Sequence, residues 1–182
     1  TRDASVAAFA QGQTDEGRKL GETSVTLLRE AREAYDAMGA AESNDFGVLV
    51  AYADLLVEQG DHDLAEKALL RAVDVDRESA QAWLKLGQTE SRLGPRSETR
   101  AIRSLRQAAA IEPKSEATVQ ACASLGALYQ QAGLYDFARE TYAKALEQDP
   151  NHVGSKLAIA ALDARDGDMV KANTAYGEVE KN

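Results

Sequence analysis

The sequence has few of the residues that build a thick globular core. Only 36 of its 182 residues are Leu, Ile, Val or Phe, ten are aromatic, Pro occurs three times and Cys once. A single cysteine excludes a disulfide within the chain. The scarcity of β-branched and aromatic residues argues against an extensive β-sheet. No apolar run is long enough to span a membrane.

Alanine is the residue that the sequence has in abundance, with 34 copies. Alanine is the best helix former, and its small side chain lets two helices approach closely. The composition therefore predicts an all-α protein made of thin, closely packed helices.

The charge balance is acidic, with a formal net charge of -9 and a pI near 4.8. Nucleic acids and anionic membrane surfaces bind clustered Lys and Arg, so neither is expected as the main partner. The chain begins with Thr1 and has no basic start followed by an apolar run. We expect a processed or excised chain without direct membrane insertion, and its compartment, cytoplasmic or exported, stays open.

A repeated pattern of small and large residues organises most of the chain. It is complete in residues 119–152, where the pattern positions are Leu125, Gly126, Tyr129, Gly133, Ala138, Tyr142, Ala145 and Pro150. This spacing resembles the tetratricopeptide repeat, in which small residues let two antiparallel helices pack and aromatic residues wedge between neighbours.

Three further segments resemble the same repeat. Residues 80–115 carry it with two extra residues around Gly94-Pro95-Arg96, and residues 46–79 carry it with Arg77 where the proline would be. Residues 153–182 form a degenerate copy in which Lys156 and Asp163 replace large residues. The resemblance implies a right-handed α-solenoid of antiparallel helix pairs, with four repeats over residues 46–182.

Each repeat predicts two helices joined by a glycine turn. The expected ranges are 46–59, 62–75, 80–93, 97–111, 116–132, 135–148, 152–166 and 169–180. Residues 1–45 are predicted to form a tail and a capping helix over 17–38, with a break at residues 12–15. The tail is also a candidate to fill the binding groove in cis.

No group of residues predicts catalysis, a cofactor or a metal. His62 and His152 lie far apart in the sequence, and Asp61-His62-Asp63 is better explained as a helix turn than as a weak metal site. Asp166-Gly167-Asp168 lacks the remaining ligands of a calcium loop, and Gly12 and Gly17 lack the lysine and hydroxyl of a phosphate loop. Cys122 has no basic neighbour at helical spacing, which predicts an inert, buried thiol. We therefore expect no enzymatic activity.

The resemblance implies that the first helices of successive repeats line a concave groove for a peptide or a helix of a partner protein. The residues mapped to this groove are small, amide-bearing or mildly apolar: Val50, Asp54, Gln81, Leu84, Lys85, Gln88, Gln120, Ala123, Ser124, Ala127, Gln131, Leu157 and Ala161. Family members that bind chaperone C-termini have a clamp of Lys and Asn, whereas the corresponding positions here hold Val50 and Asp54 or, one repeat later, Leu84 and Gln88. A chaperone adaptor is therefore not expected.

Residues 80–118 are basic in an otherwise acidic chain, with seven basic and four acidic residues. Arg96, Arg100, Arg103 and Arg106 recur at helical spacing. They predict either a site for an acidic partner or, as the favoured alternative, a solvated face with pairing to Glu98 and Asp76.

The predicted function is a non-catalytic scaffold for protein–protein interaction. The alternatives are a helper or regulatory segment of a larger enzyme or of a secretion, envelope or cytochrome-assembly complex, and a self-associating assembly module. The chain reaches Asn182 without an added polar capping helix. If the last repeat is not its own cap, Leu157, Leu162 and Tyr176 are expected to meet another subunit or domain, which makes a homo-oligomer possible.

Overall fold

The computed structural model describes the backbone of residues 2–179 and the side chains of residues 19–179. These residues form nine α-helices, two short 3-10 turns and no strand. The helices are α1 (Arg2–Ala37), α2 (Phe46–Glu58), α3 (His62–Val75), α4 (Ala80–Arg92), α5 (Glu98–Ile111), α6 (Glu116–Gln131), α7 (Tyr135–Gln148), α8 (Val153–Arg165) and α9 (Met169–Val179). The predicted all-α fold is confirmed.

The eight helices from α2 to α9 pack as four successive pairs. Within each pair the first helix packs on the second, and each second helix packs on the first helix of the next pair. In addition, α4 packs on α6. Each predicted repeat contains one pair, and the predicted helix ends agree within one residue over the described range. Local signals explain this agreement, since Asp45 and Ser79 accept the hydrogen bonds that cap α2 and α4.

Small residues stand where the helices of a pair approach most closely. A Cβ atom added at Gly87 would lie 2.6 Å from Cγ of Leu105, and one at Gly126 would lie 2.7 Å from Cε1 of Tyr142. Four alanines at the pair contacts, Ala65, Ala101, Ala138 and Ala172, have no exposed surface. The apparent shortage of large residues is therefore consistent with close packing, because each layer is thin.

The two extra residues of the second repeat lie in the turn between α4 and α5. Gly94 has φ +92° and ψ -172°, a conformation that essentially only glycine adopts. Pro95 then starts a 3-10 turn, Pro95–Ser97, that leads into α5. The insertion lengthens the turn and leaves the packing of the pair intact.

Helix α1 is continuous from Arg2 to Ala37, so the predicted break at residues 12–15 is wrong. A glycine inside a helix costs only about 1 kcal/mol relative to alanine, which is too little to end a long helix. The last turns of α1 pack on α2, where the Tyr52 hydroxyl donates to Asp36 at 2.6 Å and the Gln59 amide donates to the Leu28 carbonyl at 2.8 Å. The helix ends before Gly39.

Candidate protein-interaction site

The residues predicted to line a groove lie on the first helices α2, α4, α6 and α8. Asp54, Gln81, Gln131, Leu157 and Ala161 are exposed. The others except Leu84 are half-buried: Val50, Lys85, Gln88, Gln120, Ala123, Ser124 and Ala127. We call these twelve residues the first-helix face.

Leu84 does not belong to this face, because its side chain is only 1% exposed. It packs in the core with Leu125 and Leu128 of α6. The sequence prediction failed because it placed Leu84 by its position in one repeat, whereas the approach of α4 to α6 buries that side of the helix.

Polar contacts join neighbouring helices across the first-helix face. The Lys85 ammonium lies 2.5 Å from a carboxylate oxygen of Asp54, which joins α4 to α2. The Gln88 amide donates to the Ser124 hydroxyl at 3.4 Å, which joins α4 to α6. They place hydrogen-bond donors and acceptors on three successive first helices.

The basic stripe on the second-helix side is already partly paired. Arg100 lies 2.9 Å from Glu66 and 3.8 Å from Glu90. Arg106 donates to the Tyr129 hydroxyl at 2.6 Å. Arg96 and Arg103 are exposed and form no ion pair with any residue in the described range. The expected pairing with Glu98 and Asp76 is not found among the described residues, where Arg100 instead lies beside Glu66 of α3 and Glu90 of α4.

Glu66, Glu90 and Arg100 form a cluster where the first pair meets the second, which we call the first joint. Glu90 is 3% exposed, and the Ser104 hydroxyl donates to it at 2.6 Å. Burial raises the pKa of Glu90 above its ordinary value, and the charge of Glu66 adds to the rise, while the Ser104 hydrogen bond and the charges of Arg100 and Arg103 oppose it. The contact of Arg100 with Glu66 lacks hydrogen-bond geometry.

Arg139, Asp163 and Asp166 form the equivalent cluster between the third and fourth pairs, which we call the third joint. One guanidinium nitrogen of Arg139 donates to Asp163, and another donates to Asp166 at 2.9 Å. The hydrogen bond with Asp163 raises the pKa of Arg139 further. At the start of the array, Arg32 joins α1 to the first pair in a similar way, because its guanidinium donates to Asp61 and Gln59.

Neither joint was predicted, although the sequence carries a sign of both in acidic residues at apolar positions of the repeat. Glu90 and Asp163 stand three residues after the small residue of their first helices, where the other two repeats have Leu56 and Tyr129. An acidic residue in such an apolar position predicts a buried charge that needs a cationic partner.

The residues considered for chemistry have structural roles. His152 caps α8, where its Nδ1 accepts from the Ser155 amide at 3.2 Å, and Asp168 accepts from the Lys171 amide at 3.1 Å. Asp61 of the Asp61-His62-Asp63 turn is paired with Arg32. Cys122 is buried, and burial raises the pKa of its thiol; the charge of Lys144 lowers this pKa and that of Glu147 raises it, both by less.

Among the described residues, no three His, Cys, Asp or Glu side chains are placed to hold a metal ion. Within the same part of the chain, every helix is too short or too polar to cross a membrane.

The last pair exposes apolar side chains, but not all of those that were expected. Met169 is 53% exposed and Val170 79%, and Leu157 and Tyr176 are also accessible. Leu162 is 1% exposed and packs in the core, so its expected contact with another subunit is wrong. It belongs to the side of α8 that faces the third pair.

Comparisons with known proteins identify the repeat. Models of the tetratricopeptide repeat match residues 46–89 and 119–152. A comparison with curated proteins gives no match.

Among solved structures, the chain is similar to MamA, with a TM-score of 0.73 and 23% identity over 85% of this chain and 87% of that chain. It is also similar to MamA from Desulfovibrio magneticus RS-1, with a TM-score of 0.64 and 18% identity over 86% and 93%. YrrB, a tetratricopeptide-repeat protein described as having an unusual peptide-binding site, has a TM-score of 0.63 and 20% identity over 86% and 78%. At these identities the similarity shows a shared fold. The repeat models match two of its helix pairs, so the chain contains tetratricopeptide repeats.

Proposed function

We propose that this chain is a non-catalytic scaffold that holds an extended segment or a helix of a partner protein along the first-helix face. Tetratricopeptide-repeat scaffolds are generally non-catalytic. The similarity in fold to YrrB, which is described as a peptide-binding protein, supports the proposal.

The observation that carries the proposal is the row of polar contacts between first helices. Asp54 with Lys85, and Gln88 with Ser124, place donors and acceptors on three successive helices. Between them lie small side chains such as Ala123 and Ala127, which leave room for a backbone to approach. A segment that offers both amide and carbonyl groups matches this mixture better than a purely apolar or purely charged one.

The test is affinity capture from the source cell followed by mass spectrometry, with a blocked variant beside the original protein. Gln88→Arg together with Ala123→Arg adds bulk and charge to the first-helix face without touching the buried Leu84. We expect the variant to lose the captured partner. Leu70→Arg, at an exposed position of α3 outside the first-helix face, is the matched control and retains it. Equal capture by the blocked variant would contradict the proposal.

A second candidate function is self-association through the last pair. The exposed Met169 and Val170 at the start of α9 favour it, because adjacent apolar side chains at the end of a repeat array are suited to stack on another subunit. Sedimentation is expected to show a concentration-dependent dimer that Val170→Lys abolishes. A monomer at high protein concentration would contradict this candidate.

A further inference from the structure

A cleft of about 370 Å³ lies on the opposite side of the array from the first-helix face, between α5 and α7. Its floor is formed by Cys122, Leu125 and Tyr129 of α6. Its walls come from the two second helices and are lined by Arg106, Ala109, Ala110, Phe137, Glu140, Thr141 and Lys144. The volume is at the lower end of the roughly 300–1,000 Å³ found for ligand pockets, so it suits one bulky side chain.

The preceding repeat shows what such a position accommodates. Cys122 stands three residues before Leu125, and Trp83 stands three residues before Leu86, so the two side chains occupy the same place in their repeats. The Trp83 indole packs against the cores of the first and second pairs and donates to the Arg77 carbonyl at 3.0 Å. In the third repeat the thiol of Cys122 replaces that indole, and the cleft is open.

Phe137, in one wall of the cleft, packs against Tyr129 of the floor. The two ring centroids are 5.8 Å apart, and the rings are inclined by 43°. Phe137 is nevertheless 57% exposed. An exposed aromatic ring at the edge of a partly apolar depression offers the tilted contact that a further aromatic side chain prefers.

The charges beside the cleft favour an acidic neighbour. Lys144 and Glu140 pair with each other at 2.7 Å and largely cancel. Arg106 has only the neutral Tyr129 hydroxyl as its partner, and Arg103 has no ion pair among the described residues. Glu147 lies on the far side of Lys144 along α7 and is not part of the lining.

A second depression adjoins the first along α5. It is lined by Thr99, Ile102, Arg103, Arg106 and Gln107, so Arg106 belongs to both. The cleft, whose lining is partly apolar, is thus continuous with a surface that carries two arginines without an ion pair in the described range, although the chain as a whole is acidic.

We propose that this cleft is a second interaction site, which takes an aromatic side chain, with an indole as the best fit, from a partner protein segment whose flanking carboxylates contact Arg103 and Arg106. The site is separate from the first-helix face, so that one scaffold binds two segments at once. The aromatic side chain contributes most of the affinity, and the arginines contribute a part that salt weakens.

The test uses a fluorescein-labelled acidic peptide with one central tryptophan and a matched peptide with alanine in its place. Fluorescence anisotropy with the original protein is expected to give saturable binding of the tryptophan peptide with a Kd below about 1 mM. The alanine peptide is expected to bind at least about tenfold more weakly, because it buries no aromatic surface.

Three variants locate the site. Cys122→Trp supplies the indole from within the chain and is expected to weaken binding at least about tenfold. Phe137→Ala removes an exposed wall without disturbing the core and weakens binding in the same direction. Arg103→Glu lowers affinity several-fold at low salt and less at high salt. Circular dichroism checks that each variant is folded. If Cys122→Trp does not fold, Phe137→Ala still tests the site.

Several results would overturn the proposal. Equal binding of the two peptides would mean that only the charged surface is used. Unchanged affinity in Phe137→Ala and Cys122→Trp, or loss of affinity in the Gln88→Arg, Ala123→Arg variant alone, would place the peptide on the first-helix face. Absence of saturable binding would show that the cleft takes no such segment, and concentration-dependent dimerisation that Phe137→Ala abolishes would show that a second copy covers it.

Discussion

The first and third joints each place two carboxylates beside an arginine, but the contacts of these groups differ. At the third joint a second arginine, Arg165, also bonds Asp166, at 2.6 Å. At the third joint, Arg139 hydrogen-bonds both Asp163 and Asp166 from the preceding second helix. At the first joint, that helix position holds Glu66 instead, and the arginine comes from the next second helix without a hydrogen bond to either carboxylate.

The difference in geometry gives the two joints different electrostatics. Glu90 is the most buried of the six side chains, and its pKa is raised. At the third joint the hydrogen bonds stabilise the charged forms, and the pKa of Arg139 is raised. The comparison teaches that burial and hydrogen bonding, and not only the number of charges, decide how a joint responds to pH.

The largest expected effect comes from removing the arginine of the first joint. Arg100→Met leaves Glu66 and Glu90 close together without a cation, and we expect the free energy of unfolding to fall by about 2–3 kcal/mol at pH 8. The loss should be smaller at pH 5, because the pKa of Glu90 is raised and its protonation relieves the repulsion from Glu66. Urea unfolding at both pH values measures it. Arg96→Met, at an exposed position without an ion pair in the described range, is the control with little effect. Equal losses at both pH values would contradict the explanation.

At the third joint, Asp163→Asn is expected to lower the free energy of unfolding by about 1–2 kcal/mol, because Arg139 loses a charge-assisted hydrogen bond that is largely shielded from water. Thermal and urea unfolding between pH 6 and 8 should show a loss that does not vary with pH, since Arg139 stays charged throughout. Asp166→Asn, at an exposed position, should cost less than about 1 kcal/mol. A larger loss for Asp166→Asn than for Asp163→Asn would contradict the view that Asp163 is the main partner of Arg139.

A double-mutant cycle can convert one joint towards the other. Glu66→Arg places an arginine at the helix position that Arg139 occupies, facing Glu90. In that background Arg100→Met should cost about 1 kcal/mol less than it does alone, because Glu90 keeps a cationic neighbour. Urea unfolding of the four proteins gives the coupling energy. Strict additivity would show that the two positions do not share Glu90 as a partner.

The smallest expected change in the free energy of unfolding at neutral pH is that of Glu90→Gln, within about 1 kcal/mol. The substitution removes the cost of burying a charge, but it also removes the attraction to Arg100, and the two nearly cancel. A raised pKa in the folded state means that Glu90 favours folding below its unfolded pKa of about 4.3 and that this contribution is lost as the pH rises through the folded pKa. The variant should therefore gain stability relative to the original protein between pH 4 and pH 8. A difference that is constant over this range would disprove the raised pKa.

Much of the fold could be predicted because its signals are local. Capping residues such as Asp45 and Ser79 and the turn at Gly94 set the helix ends within one or two residues of where they act. The position of Gly126 against Tyr142 follows from the repeat spacing alone. The twelve residues of the first-helix face were also named from this spacing, and their role in binding stays a prediction.

The predictions that proved wrong concern properties that depend on contacts between repeats. Leu84 and Leu162 were expected on open surfaces but are buried against neighbouring helices. Arg100 was expected to pair with Glu98 or Asp76 and instead lies beside Glu66 of α3. The cleft between α5 and α7 was missed because a single cysteine at position 122 does not reveal that its neighbours leave space around it.

The sequence by itself determined the helices, their pairing and the repeat family, because alanine and glycine spacing, caps and turns act over a few residues. Only the tertiary structure decided which polar groups are buried together and which apolar positions remain open. Those properties depend on how closely successive pairs approach, and a burial or a Coulomb energy is set by distances between residues that are far apart in the chain.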